Sequence, residues 1–538
     1  MIKFIDRFPI PALLLLGLLF YLPFIGSTHL FDWDEINFAE SAREMLLTGD
    51  YFSVQVNFQR FWEKPPFFIW LQAASMKVFG VNEFAARFPN VLFGLATLIS
   101  FYIIGLRERS HRFGLMWAIL YLGSLLPTFY FKSGIIDPAF NLFMFWAVYA
   151  AYKTQPAAYK NLKWPLICGL SIGLAIITKG PVGLLIPLLT IIVIYIWRRA
   201  RALCTWRQLM VVAGSALLVS FAWFGYDLIK NGPWFLVEFV EYQIELFTQP
   251  VAGHERPFYF HLLVVFVGCL PFSIFAIPQF KPGKEARDLQ SWMFVLFVLV
   301  MLIFSISSTK IVHYSSMCYL PLSFLAALQL EKWDLKGFKN KFTKLYPLIA
   351  FALLGLCMIA IAYLFANPEL WLHQVKDPFL QQAFTQPASW NGLDIWLWII
   401  IPAIGLYWFF FAKKFQILRN LIVISLSFCL FLNLYLFMVV PKIEQYTQKP
   451  IIEFYESLQG KEVNVQPYYF KSYAHLFYTR KPWYQDEEAY DSNIMLNGDP
   501  SRPTYIIVKA GKRKAELIAR SDMQFVGDYG GYSVFKRP

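Results

Sequence analysis

The chain has 538 residues, is 57% hydrophobic and only 15% charged, against roughly 25% charge in an ordinary soluble protein. Its many apolar runs of about 18–20 residues exclude a soluble globular protein and imply a polytopic membrane protein. The net charge of +13 does not signal a nucleic-acid partner, because the basic residues sit in short loops between apolar runs, the pattern of cytoplasmic loops.

In chain order, the first apolar run follows MIKFIDR and has no A-x-A-like cleavage site after it, so it reads as a retained first helix rather than a signal peptide. About thirteen spans are expected, at 10–26, 86–106, 113–131, 135–152, 165–178, 181–197, 209–229, 259–279, 291–307, 311–330, 345–366, 394–412 and 419–440. With the N-terminus inside, the basic loops 107–112, 153–163, 198–207, 281–287, 331–344 and 413–419 all fall inside. The segments 27–85, 132–134, 179–180, 230–258, 308–310, 367–393 and the tail after 441 then fall outside. The expected location is the inner membrane of a bacterium, with a cytoplasmic N-terminus.

Within 27–85, EINFAESAREMLL (35–47) and FFIWLQAASMKVFG (67–80) have the periodicity of amphipathic helices lying in the interface. The tail, 442–538, is polar and carries strand-like runs (PTYIIVKA, YSVFKRP) and a helical one (RKAELIARS), so a small α/β domain in the periplasm is expected after a membrane domain at 1–441. The six cysteines, Cys168, Cys204, Cys269, Cys318, Cys357 and Cys429, lie mostly in or beside apolar runs without metal-ligand spacing.

The chemistry-bearing residues gather on the outer side. FDWDEINF (31–38) holds Asp32, Asp34 and Glu35 at a helix start, where capping and the helix dipole account for one or two acids but not three. FWEKPPFF (61–68) adds Glu63 and Lys64 before two prolines that fix the backbone. Asp137 opens a span in KSGIIDPAFN, where N-capping with Pro138 is the plain alternative to a functional acid. Lys179 joins two spans in ITKGPVG, where snorkelling is the plain alternative. SSTKIVHY adds Lys310, His313 and Tyr314, and GHERPFYF adds His254, Glu255 and Arg256. Cations at this depth match a lipid phosphate, and a carboxylate beside them matches a base acting on a hydroxyl. The reaction inferred is glycosyl transfer from a polyprenyl-phosphate sugar, whose departing phosphate needs cations. A transporter or lipid flippase is the alternative; it would place charges near the midplane and show inverted repeats, and none is visible.

DEINFAESAREMLLTGDY, FWEKPP, ITKGPVGLLIP and FSISSTKIVHYSSMCYLPL resemble the aminoarabinose lipid A transferase and protein O-mannosyltransferase-like superfamily, over roughly residues 1–330. The resemblance implies the GT-C fold, an all-α polytopic membrane protein, and an inverting glycosyltransferase that moves sugar from undecaprenyl phosphate to a lipid A, glycan or protein acceptor. It implies Asp34 as catalytic base, with Glu35 and Asp137 as further acids of the site. It also implies Lys64, Lys310 and Tyr314 as contacts of the carrier phosphate. Lys179 and Arg256 are added to that set on charge and position. Glu63 and His254 resemble a pair that binds a metal, zinc. One departure is that SSTKIVHY has His313 where the family more often has proline, which bears on acceptor recognition.

Overall fold

The structure is a computed structural model. It describes the chain apart from residues 1, 33, 250–255, 271, 339–340, 386–387, 485 and 538 and the side chains of 2, 3, 342, 487 and 488. The membrane part is helical, and each expected apolar segment contains helix. By length and composition, 6 helices among the described residues can cross a membrane, or up to 8 if each bent pair counts as one span. Pro9–Tyr21 (13 residues) and Asp137–Lys153, Lys163–Lys179 and Val182–Trp197 (17, 17 and 16 residues) are shorter than a straight span requires. The expected span at 113–131 is two helices, His111–Leu122 and Leu125–Phe131, meeting at 74°. The bend falls at Gly123, where a Cβ would lie 2.7 Å from Ser425, so the bend sits directly against the backbone of the Ile417–Met438 helix.

Two large apolar cores follow. One fills the helical bundle, with Trp117, Phe101, Phe145 and Phe324 in mutual ring contact. The other runs from the first loop into the C-terminal region and joins Phe38, Phe68 and Ile69 to Tyr455, Phe477, Tyr478, Ile507 and Val534.

This second core changes the reading of the first loop. Asp34–Thr48 and Phe67–Phe79 are helices as expected, but the first does not lie as an amphipathic helix on an interface. Every residue from Glu35 to Met45 is buried, because the Phe67–Phe79 helix covers one side and Ala474–Thr479 packs on another. Its charges are met inside the protein: Arg43 forms a bidentate pair with Glu40 at 2.6 and 2.7 Å and donates to the Lys481 carbonyl at 2.9 Å.

The C-terminal region forms a four-stranded sheet in the spatial order Asn464–Tyr468, Thr504–Lys509, Tyr532–Arg537, Gln524–Tyr529. The first pair is parallel and the others antiparallel, with a bulge between Phe525 and Gly527. Lys512–Ile518 is the helix read from RKAELIARS. The segment from Ser472 through Thr479 connects the sheet to the first loop.

Candidate active site

The first-loop helix begins at Asp34 and Glu35, adjacent acids in different surroundings. Glu35 is fully engaged. Its oxygens receive Arg87 Nε and Nη2 at 2.8 and 2.9 Å and the Phe31 and Gly134 amides. Arg87 also donates to the carbonyls of Ile25, Thr28 and His29. Glu35 therefore ties the start of the helix to the Glu83–Glu108 helix and to residue 134. Sequence reasoning counted it with the catalytic acids; its lone pairs are already occupied by protein donors, and its place is structural.

Asp34, by contrast, has one side-chain neighbour at pairing distance, His313 Nε2 at 3.1 Å. Burial pushes its carboxyl up, but the His313 hydrogen bond and the charges of His313, Lys64 and Lys179 outweigh burial and hold it well below its ordinary value. The same His313 Nε2 lies 3.9 Å from Asp137 Oδ2, so one ring nitrogen faces both carboxylates. Asp137 is the first residue of the helix Asp137–Lys153; Ile136 holds the N-cap position and no side chain caps the helix, so the capping alternative does not describe Asp137. Its Oδ1 accepts from Lys179 Nζ at 2.6 Å, and its Oδ2 is buried without a hydrogen-bond donor among the described residues.

Lys179 is the last residue of Lys163–Lys179 and is presented by Gly180. Gly180 has φ +90°, and a Cβ there would meet Phe239 at 2.2 Å, so only glycine turns the chain so tightly. The ammonium rests over the Tyr314 ring at 5.1 Å and the Phe140 ring at 5.5 Å. Snorkelling does not describe it: Lys179 is 8% exposed and ion-paired.

Lys64 is equally buried, at 8% exposure. It stands 5.5 Å from the Tyr242 ring and forms no ion pair among the described residues. Its neighbour Glu63 faces elsewhere, to Lys471 Nζ at 3.1 Å and the Tyr242 hydroxyl at 3.3 Å. Burial and the nearby Glu63 charge push the Tyr242 phenol up, so it stays a hydroxyl donor at neutral pH.

Lys64, Lys179 and Tyr314 form the polar end of a cavity of about 560 Å³. Its remaining walls are mainly apolar: Leu184, Leu185 and Leu188 from one helix, Ile244 and Phe247 from a second, Ile303 and Phe304 from a third. An apolar slot ending in two ammonium groups suits an amphiphile with an anionic head.

Other expected contacts fall outside this arrangement. Lys310 donates to its own loop at Ser307 O, 2.6 Å away, and does not line the cavity. Arg256 is exposed ahead of the Phe260–Gly268 helix and is not part of the cavity wall either. His254 and Glu255 lie outside the described residues. Of the expected metal pair only Glu63 is described, and it is paired with Lys471 Nζ at 3.1 Å; among the described residues no three His, Cys, Asp or Glu side chains cluster as a ligand set. Tyr242, Lys471 and Arg87 are the residues sequence reasoning left out of the site. His313 was named among the outer-face residues and as the histidine in place of proline, but was given no role at Asp34. Lys471 carried no signal, being 408 residues from its partner.

Residues 63–224 match the family described as dolichyl-phosphate-mannose-protein mannosyltransferase. An "undecaprenyl phosphate-alpha-4-amino-4-deoxy-L-arabinose arabinosyl transferase 1" of Pseudomonas fluorescens is 26% identical over 75% of this chain and 72% of its own length. An arabinosyl transferase of the same description from Pectobacterium carotovorum is 30% identical over 59% of this chain and 57% of its own. The crystal structure of ArnT from Cupriavidus metallidurans bound to undecaprenyl phosphate superposes with a TM-score of 0.75 at 19% identity, covering 98% of this chain and 97% of that one. At that identity the likeness concerns the fold.

Proposed function

We propose that the chain, which shares its fold and sequence likeness with the aminoarabinose transferases and protein mannosyltransferase-like proteins of the GT-C superfamily, is a membrane glycosyltransferase that transfers a sugar from undecaprenyl phosphate to lipid A. The observation that carries this reading is the buried Lys64, which forms no ion pair among the described residues, beside Lys179 at the end of an apolar slot. A buried cation without a counter-ion is unfavourable unless a ligand supplies the charge. The lipid phosphate would supply it, and the prenyl chain would fill the slot. The names of the relatives and the undecaprenyl phosphate in the neighbouring crystal structure agree with that donor.

In the transfer, the acceptor oxygen attacks the anomeric carbon from the face opposite the phosphate. The new C–O bond forms as the C–O bond to phosphate breaks, and the configuration inverts. The phosphate leaves with the electron pair and is stabilised by Lys64 and Lys179. Asp34 takes the acceptor proton. A carboxylate held below its ordinary value is a weak base, so proton transfer comes late, after the attacking oxygen has become acidic. Asp34 also places negative charge where oxocarbenium character develops. His313 and Asp137 hold and orient it. Glu35 is a positioning residue, acting through Arg87.

On this reading the chain lies in a bacterial inner membrane with its N-terminus in the cytoplasm. The site and the 442–538 domain then face the periplasm, and the domain closes over the first loop. The test is transfer from a radiolabelled undecaprenyl-phosphate sugar to lipid A by the purified protein. Asp34→Asn should lower the rate by about 10²–10⁴-fold while undecaprenyl phosphate still binds. Wild-type turnover in that variant would remove Asp34 from the chemistry.

A further inference from the structure

Asp32, the first acid of the FDWDEINF stretch, takes no part in the arrangement above. It faces a second cavity, of about 260 Å³, between the first loop and the C-terminal sheet. Gln448, Ser472, Lys509, Phe470 and Tyr532 share its lining. This cavity differs in kind from the apolar slot. It combines a carboxylate, an ammonium, an amide and a hydroxyl with aromatic rings, and it is too small for a lipid chain, below the roughly 300–1,000 Å³ of ordinary ligand clefts.

The Lys509 charge acts on Asp32 from a distance, with no ion pair between them among the described residues, and Asp32 accepts from the Ser472 hydroxyl and the Tyr473 amide. Lys509 Nζ lies 5.3 Å from the Phe470 ring centre and 5.6 Å from that of Phe379, and makes no ion pair among the described residues. Both side chains keep accessible surface. The Gln448 amide is held in place by Leu30 O and Glu444, each at 3.0 Å. The Phe470 and Tyr532 rings stand 5.6 Å apart, so the aromatic wall is fixed as well.

The position is as informative as the lining. Asp32 is two residues before Asp34 on the same chain segment. Ser472 and Phe470 flank Lys471, which reaches the other way to Glu63. The two sites therefore share both of the backbone segments that separate them, and on the reading above the donor phosphate lies at the lysines of the first.

We propose that this cavity is a subsite for a sugar ring of the acceptor, with ring hydroxyls spanning Asp32 and Lys509 and the ring face against Phe470 and Tyr532. The inference rests on the reading above that lipid A is the acceptor, and it deepens that reading: the glycosamine backbone, rather than the acyl chains alone, is recognised, and the C-terminal domain supplies half of the recognition.

The experiment uses the full chain in detergent and two probes, the deacylated bis-phosphorylated glucosamine disaccharide of lipid A and undecaprenyl phosphate. Wild type should bind both. Asp32→Asn and Lys509→Gln should each weaken the disaccharide by about tenfold or more and leave undecaprenyl phosphate affinity unchanged. The unchanged second affinity also shows that the variants are folded. Wild-type disaccharide affinity in both variants, or no disaccharide binding by wild type, overturns the subsite. Failure of wild type to bind undecaprenyl phosphate overturns the donor reading instead, and the disaccharide arm is judged on its own result.

Discussion

The floor of the first loop and the mouth of the apolar slot are both rich in buried charge, and they handle it in opposite ways. On the floor, Glu35 is matched with Arg87, and Glu40 with Arg43, each by two hydrogen bonds. At the mouth, Lys64 has no carboxylate partner among the described residues, and Asp137 keeps one oxygen without a donor. Saturated charges hold a structure in one register. Unsaturated ones at the end of a cavity mark where a ligand completes the pairing.

The sharpest way to break this contrast is to damage the floor. Arg87→Met leaves the Glu35 carboxylate buried without its partner and should destabilise the protein by about 3–5 kcal/mol, read as a fall in thermal stability in detergent. Glu35→Gln with Arg87→Met should recover part of that loss. If Arg87→Met unfolds like wild type, the floor is not the scaffold described.

The floor and the mouth were unequally legible in the sequence. Asp34, Lys64, Asp137 and Lys179 could be gathered because each sits at the end of an apolar run, and weaving the runs brings those ends to one face. Glu35 could not be separated from Asp34, because adjacent residues at a helix start look alike until Arg87, 52 positions away, selects one of them. The first-loop helix read as amphipathic because its polar positions were assigned to water; the C-terminal domain buries them instead. Strands Thr504–Lys509 and Tyr532–Arg537 were legible as runs of β-branched and aromatic residues. Their docking on the first loop was not, because it depends on contacts more than 400 residues apart.

A change at the mouth should act on ligand as well as on stability, because it also leaves the buried Asp137 carboxylate without its partner. Lys179→Met removes the partner of Asp137 and one phosphate cation, and should raise the donor KM by about 10-fold or more, measured with the undecaprenyl-phosphate sugar at saturating acceptor. An unchanged KM would place the phosphate elsewhere.

The seam between floor and C-terminal domain has its own pH signature. Burial, with Arg43 and Arg502 nearby, pushes the Lys481 ammonium down to about 8 despite the acids Glu44 and Glu40. Between about pH 8 and its ordinary value of 10.5, the unfolded chain binds a proton here that the folded one does not, so stability rises with pH through that window. Lys481→Gln should flatten the rise in thermal unfolding between pH 8 and 10; an unaltered rise would assign it to another group.

The smallest effect is expected at Glu44. Burial and the neighbouring Glu40 raise its carboxyl well above the ordinary value, and one oxygen accepts from the Phe58 amide at 2.8 Å. The folded protein therefore holds a proton there that the unfolded chain releases as pH rises above the ordinary glutamate value, and stability falls with pH across that window. Glu44→Gln keeps an acceptor for Phe58 and needs no proton, so stability at pH 7 should stay within about 0.5 kcal/mol of wild type or rise. A large loss would mean that Glu44 is ionised and paired.

The most direct measurement is the affinity of the purified protein for undecaprenyl phosphate in three forms: wild type, Lys64→Gln and Asp34→Asn. Lys64→Gln should bind at least about tenfold more weakly, because the buried cation that the phosphate completes is gone. Asp34→Asn should bind as well as wild type or better, since a nearby negative charge is removed. Equal affinity in wild type and Lys64→Gln would contradict the claim that this unpaired lysine marks the donor phosphate site.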